Sequence, residues 1–179
     1  MLHWYGLIVG VAIVVGWSVA EKLESKVGGI APWAIGVGLV GARVYHVVDY
    51  WGYYSQNLGQ IVAVWRGGLS IWGGLIGGLV VVGIWYFELN KDRREFGKIL
   101  GAIVTGMPIG QAIGRLANAV NGEFTQQVWI LPWWASEAIL DLVLFGILWS
   151  LRGLSSQARV GVYLVGYGLI RWILNPFRI

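Results

Sequence analysis

Apolar residues along this chain come in six long runs rather than in the alternation of a half-buried strand. The runs cover residues 3–20, 28–49, 68–88, 99–121, 137–151 and 160–176. Each is near the roughly 20 residues that a helix needs to cross about 30 Å of hydrocarbon. A helix also satisfies its own backbone polar groups, which lipid cannot do. The pattern therefore predicts an all-α fold: a polytopic membrane helix bundle of about six transmembrane helices, forming a single transmembrane domain over residues 1–179. The first run lacks a basic leader, and the charged stretch EKLESK after it contains no small-residue cleavage site, so it is expected to be retained rather than removed as a signal peptide.

Composition makes lipid the expected solvent. Hydrophobic residues make up 57% of the chain and charged ones 12%, and the mean hydropathy is +0.67, far from the balance of a soluble domain. The few charges orient the chain. Lys22 and Lys26 follow the first run, Lys91, Arg93, Arg94 and Lys98 the third, and Arg152 and Arg159 the fifth. The positive-inside rule places these alternate connections in the cytoplasm. The connections DYWGYYSQNLGQ and EFTQQVWILPWW carry no Lys or Arg and many aromatics, which suits an outer interface. Both termini are then expected on the outer side. The net charge of +4 sits in short loops, so nucleic acid is not an expected partner. Without cysteine there is no disulfide, no thiolate ligand and no thiol nucleophile; no metal and no cofactor are expected.

Eight of the 13 basic residues lie in those cytoplasmic connections, which leaves Arg43, Arg66, Arg115, Arg171 and Arg178 for the outer half of the membrane. An intramembrane Arg costs about 3 kcal/mol on insertion scales, so it normally faces a polar interior. Snorkelling to headgroups accounts for Arg178, and Arg66 sits at an interface where either reading serves. Arg43, Arg115 and Arg171 lie deep on three different helices, more than anchoring requires. The five outer arginines, with Asp49, Glu123 and Glu137 at similar depth, predict a polar, net cationic cavity that opens outward. A guanidinium matches phosphate bidentately and keeps its charge, so an anionic phospholipid headgroup is the expected ligand. In GQAIGRLANAVNGE, Asn118 and Asn121 follow Arg115 at i+3 and i+6 and can donate to lipid oxygens, while Glu123 can orient an Arg or act as an acid or base. Small-residue spacings at Gly73 and Gly77, Gly74 and Gly78, and Gly106, Gly110 and Gly114 predict close helix packing.

GRLANAVNGE resembles the signature of the prolipoprotein diacylglyceryl transferase family, Gly-Arg-x-x-Asn-x-x-Asn-Gly-Glu, at Gly114, Arg115, Asn118, Asn121, Gly122 and Glu123. Further motifs follow in the family's order. HWYGL resembles its opening Trp-Tyr-Gly-Leu at Trp4, Tyr5, Gly6 and Leu7, and GARVYHVVDYW its second-helix motif at Gly41, Ala42, Arg43, Tyr45 and His46. RGGLSIWGGLIGG is similar to Arg-Gly-Gly followed by His-Gly-Gly-Leu-Ile-Gly. LPWWASEAILDLVLF keeps Pro132 and Glu137 of His-Pro-x-x-Leu-Tyr-Glu, and YLVGYGLIRWILNPFR matches Tyr-Gly-x-x-Arg at Tyr167, Gly168 and Arg171.

The resemblance implies transfer of the diacylglyceryl group of phosphatidylglycerol to the lipobox cysteine of a prolipoprotein, releasing glycerol phosphate. It implies a multi-pass protein of the bacterial plasma (inner) membrane with its site toward the outer leaflet. Arg115, Arg171, Glu123 and His46 would then carry the chemistry, and Arg43, Arg66, Asn118, Asn121, Tyr5, Tyr167 and Glu137 would bind substrate. The lack of cysteine fits, because the thiol comes from the protein substrate. Three motifs depart from the pattern. Trp72 replaces the His of His-Gly-Gly, Ala135 and Ser136 replace Leu-Tyr, and Asn175 and Pro176 stand where a Glu commonly follows Arg171. The family also implies a seventh helix and a larger outer domain. Indole is a donor only, so either His46 or Glu123 takes the proton in a minimal transferase, or the chain is a relative that binds anionic phospholipid without transferring it. A small transporter is disfavoured by polar intramembrane residues on one side only.

Overall fold

The computed structural model describes residues 4–64, 67–90 and 93–177. Every one of the six apolar runs is helical. The elements are α1 (Trp4–Leu23), α2 (Lys26–Asp49), the short α3 (Trp51–Tyr54), α4 (Ile71–Ile84), α5 (Arg93–Asn121), α6 (Trp133–Ser150) and α7 (Ser156–Leu174). A wide π-helical turn, Trp85–Asn90, prolongs α4. A two-residue hairpin precedes α6: β1 (Gln127–Val128) pairs antiparallel with β2 (Leu131–Pro132), with Val128 opposite Leu131.

Among the described residues, four helices, α1, α2, α5 and α6, are long and apolar enough to cross a membrane. The shortfall from six has a physical origin. The α4 helix is short and is extended only by its π turn, while α7 places Arg159, Tyr163, Tyr167 and Arg171 at successive i+4 positions, so one polar stripe dilutes an otherwise apolar helix.

The chain forms two compact units. One holds α1, α5, α6, α7 and the hairpin. Its α1–α5 seam runs through glycine: a methyl group at Gly110 would lie 3.0 Å from the Ala12 carbonyl oxygen, and one at Gly106 would overlap the Gly16 carbonyl. Its core gathers Val104, Val128, Trp133, Leu144, Leu148, Tyr163, Ile170 and Leu174. The other unit holds α2 from Gly28 onward, α3 and α4. There Gly73 faces the Gly41 carbonyl, and a methyl group at Gly77 would come within 2.6 Å of the Val37 carbonyl oxygen. Gly114, by contrast, has open space around it. Close backbone approach through small residues is how helices gain packing energy in lipid. Outward faces of these helices carry Val14, Val40, Leu79 and Val165 in exposed positions, as hydrocarbon surroundings allow.

Candidate functional site

The quoted signature folds as a helix terminus. Gly122 adopts φ 68°, its N–H donates to the Ala119 carbonyl, and the Glu123 N–H donates to the Asn118 carbonyl at 2.8 Å. This is the left-handed Schellman ending, which favours glycine because it has no Cβ. The turn swings Glu123 back over the last helical turn. There its Oε2 accepts from Asn118 Nδ2 at 2.8 Å and its Oε1 from Asn121 Nδ2 at 3.2 Å. Asn118 is buried, and its Oδ1 accepts from Arg115 Nη1 at 3.2 Å.

Arg115 belongs to a second set of contacts centred on Glu137, which is fully buried on α6. Arg115 Nε lies 2.9 Å from Glu137 Oε2, an ion pair whose alignment falls short of a hydrogen bond. From α7, Arg171 Nη1 donates to Glu137 Oε1 at 3.2 Å. Beneath both guanidiniums lies Trp133, with ring centroid distances of 5.5 Å to Arg115 and 5.6 Å to Arg171. Trp133 is itself fixed, since its indole N–H donates to the Leu174 carbonyl at 2.8 Å. One carboxylate thus holds two cations from two helices over one aromatic face. Both guanidiniums remain about one-quarter exposed while Glu137 is sealed, and no hydrogen bond among the described residues uses Nη2 of either Arg. The trio carries a net charge of +1 with N–H groups unspent.

Four-residue spacing continues the polar face inward. Asp141, one turn beyond Glu137 on α6, is fully buried with neither oxygen hydrogen-bonded. It lies within electrostatic reach of Glu137, Arg115, Arg171, Tyr163 and Tyr167. Gln111, one turn before Arg115, donates to the Tyr163 hydroxyl at 3.0 Å, and Tyr163 stacks on Tyr167 with ring planes 2° apart. Farther along, buried Arg159 donates to the hydroxyls of Thr105 and Ser156, each at 3.4 Å. The polar face of α7 therefore continues to its first turn.

The second unit uses its arginine differently. Arg43 directs all five N–H groups at carbonyls: Nε to Ile61 at 2.8 Å, Nη1 to Gly67 at 2.6 Å and Gly68 at 2.8 Å, and Nη2 to Gln60 at 2.5 Å and Ala63 at 3.4 Å. Gly67 and Gly68 both have positive φ, 85° and 75°, and a methyl group at Gly68 would sit 2.6 Å from Arg43 Nη1 and 2.7 Å from His46 Nε2. This guanidinium is a loop clamp with no donor left for phosphate. His46 packs between Tyr50 and Tyr54 at ring distances of 4.6 and 5.9 Å.

Of the residues singled out in sequence, Arg115, Arg171, Glu137, Asn118, Asn121 and Glu123 form one connected network, with Tyr167 beside it. Tyr5 is exposed in the first turn of α1, outside that network. Arg43 and His46 stand together in the other unit, while Arg66, Arg178 and His3 lie outside the described residues. Sequence reading missed Trp133, Asp141, Gln111 and Tyr163. The usable signal was the spacing of Trp133, Glu137 and Asp141 at i+4.

Apolar helices of spanning length around a sealed carboxylate and two partly exposed guanidiniums define a polytopic helical membrane protein with a buried charged cluster. Its family follows from comparison. The family model for prolipoprotein diacylglyceryl transferase matches residues 1–179, and the chain belongs to that family. It is 30% identical to the phosphatidylglycerol–prolipoprotein diacylglyceryl transferase of Finegoldia magna over 199 residues, covering 99% of this chain and 79% of the relative. Against the protein of the same name from Clostridioides difficile it is 41% identical over 139 residues, covering 74% of this chain and 55% of the relative. The one from Acaryochloris marina is 30% identical over 222 residues, with 100% and 80% covered. The chain thus spans about half the length of some curated relatives and four-fifths of others.

Proposed function

We propose that this chain moves the diacylglyceryl group of phosphatidylglycerol onto the cysteine thiol of a prolipoprotein lipobox. In this reading it works in the bacterial plasma membrane, with six spans, both termini outside and its site toward the outer leaflet. The supporting observation is the convergence of Arg115 and Arg171 on Glu137 over Trp133, a cluster of net charge +1 with free N–H groups. A phosphodiester carries one negative charge, and its oxygens would accept those N–H groups. The same guanidiniums would stabilise the charge that develops on phosphate as the carbon–oxygen bond breaks. Asn118 and Asn121 then act at one remove, holding Glu123 and bracing Arg115.

A second reading, a relative that binds anionic phospholipid without transferring it, draws on one observation: Trp72 stands where the family pattern has a His. Both readings require the arginines. Transfer from phosphatidylglycerol vesicles to a synthetic lipobox peptide is expected from the intact chain, and Arg115→Ala and Arg171→Ala each lower it by about 100-fold or more, the usual cost of removing one charge-stabilising donor. Phosphatidylglycerol binding without product in the intact chain would favour the second reading, and unchanged binding in both variants would remove both.

A further inference from the structure

The proposed transfer releases a proton, and Glu123, one of the two groups that sequence offered to take it, is engaged. Both its oxygens accept amide N–H groups, both oxygens of the neighbouring Glu137 face arginines, and the other candidate, His46, belongs to the other compact unit, where it packs against the rings of Tyr50 and Tyr54. Asp141 is different. It is fully buried, neither oxygen has a hydrogen-bond donor among the described residues, and it sits one helical turn, about 6 Å, from Glu137 on the same face of α6. Burying a carboxyl group without a donor is costly. Its charged and titratable surroundings are Glu137 on its own helix, Arg115 on α5, and Arg171, Tyr163 and Tyr167 on α7. The amide of Gln111, held on the Tyr163 hydroxyl, keeps that layer polar.

Resting on the transferase reading, we propose that Asp141 is the proton acceptor for the incoming cysteine thiol, one turn along α6 from the carboxylate that seats the phosphate-binding arginines. The Asp141 carboxylate takes the thiol proton as sulfur attacks the glyceryl carbon attached to phosphate oxygen. The sulfur–carbon bond forms, the carbon–oxygen bond breaks, and its electron pair leaves with glycerol phosphate, whose charge Arg115 and Arg171 receive. The proton then passes from Asp141 to water or to the departing phosphate, which restores the carboxylate. Two carboxylates on one helix face, four residues apart, thus divide the work: Glu137 fixes the anion site and Asp141 serves the nucleophile.

The test measures transfer and phosphatidylglycerol binding in the full chain beside Asp141→Asn and Asp141→Glu. Asp141→Asn is expected to lose about 100-fold or more in transfer, the usual contribution of a general base, with lipid binding unchanged within threefold. Raising the pH to about 9.5, above the ordinary thiol pKa of about 8.5, returns at least tenfold of that loss, because the nucleophile then arrives ionised. Asp141→Glu retains more transfer than Asp141→Asn. Transfer by Asp141→Asn within threefold of the intact chain overturns the proposal while leaving the transferase reading standing. Parallel loss of binding and transfer, failure of Asp141→Asn to fold, or no recovery at high pH also overturns it, in favour of a structural carboxylate. No transfer by the intact chain removes the transferase reading and this inference with it.

Discussion

Arg43 and Arg115 share a side chain and differ in what their donors meet. Five carbonyls saturate Arg43, whereas Arg115 divides its N–H groups between Glu137 and Asn118 and keeps some free. Lysine has three donors on a flexible stem and cannot reproduce a planar five-donor fork. Arg43→Lys is therefore expected to strand carbonyls of residues 60–68, costing about 1–3 kcal/mol. Hydrogen–deuterium exchange should show faster exchange of those loop amides, with phosphatidylglycerol binding unchanged. Equal losses of loop protection and lipid binding would return Arg43 to the ligand site. Residue type and depth marked both arginines in the sequence, but only the fold separates their duties, because carbonyl partners leave no trace in side-chain identity. Asp141 stayed hidden for a related reason: its i+4 spacing from Glu137 showed a shared face, but only the fold shows that its oxygens lack donors among the described residues.

Among the elements, the glycine spacings were the most readable feature. Gly106 and Gly110 line the α1–α5 contact, and Gly73 and Gly77 the α2–α4 contact. Gly114 had the same spacing and meets open space, since periodicity cannot say where one helix diverges from its neighbour. Gly106→Leu is expected to force α1 and α5 apart, at a cost of about 1–3 kcal/mol for overpacking. Gly114→Leu should be near neutral. Thermal unfolding in detergent separates them, and equal midpoints would argue that the α1–α5 seam is loose in solution. Helix ends were harder to read. The α6 helix begins at Trp133, four residues before the expected run, because the β1–β2 hairpin and Pro132 set its start. That early turn is what carries Trp133 beneath the arginines.

For the whole molecule, the distribution of Lys and Arg predicts an alternating path through the membrane, with 56 outside and 153 inside. The natural chain has no cysteine, so an introduced thiol is a unique reporter. In intact cells, a membrane-impermeant maleimide is expected to label Gln56→Cys and to spare Gly153→Cys until the membrane is permeabilised. The reverse pattern would invert the topology and move the arginine cluster to the inner leaflet. Membrane class and helical architecture were legible from hydropathy because lipid permits few solutions. The division into two compact units was not, since it depends on which glycine seams pair and not on how apolar each run is.

The sharing of Glu137 between Arg115 and Arg171 bears on how a catalytic cycle would end. Any bound phosphate and Glu137 compete for the same guanidiniums, and a diester brings one negative charge to that contest. The phosphate monoester left after transfer carries close to two at neutral pH. The spent headgroup would then be the stronger rival, so departure of glycerol phosphate would limit turnover in such a site, and Glu137 would shorten that step only by offering the arginines a partner to return to.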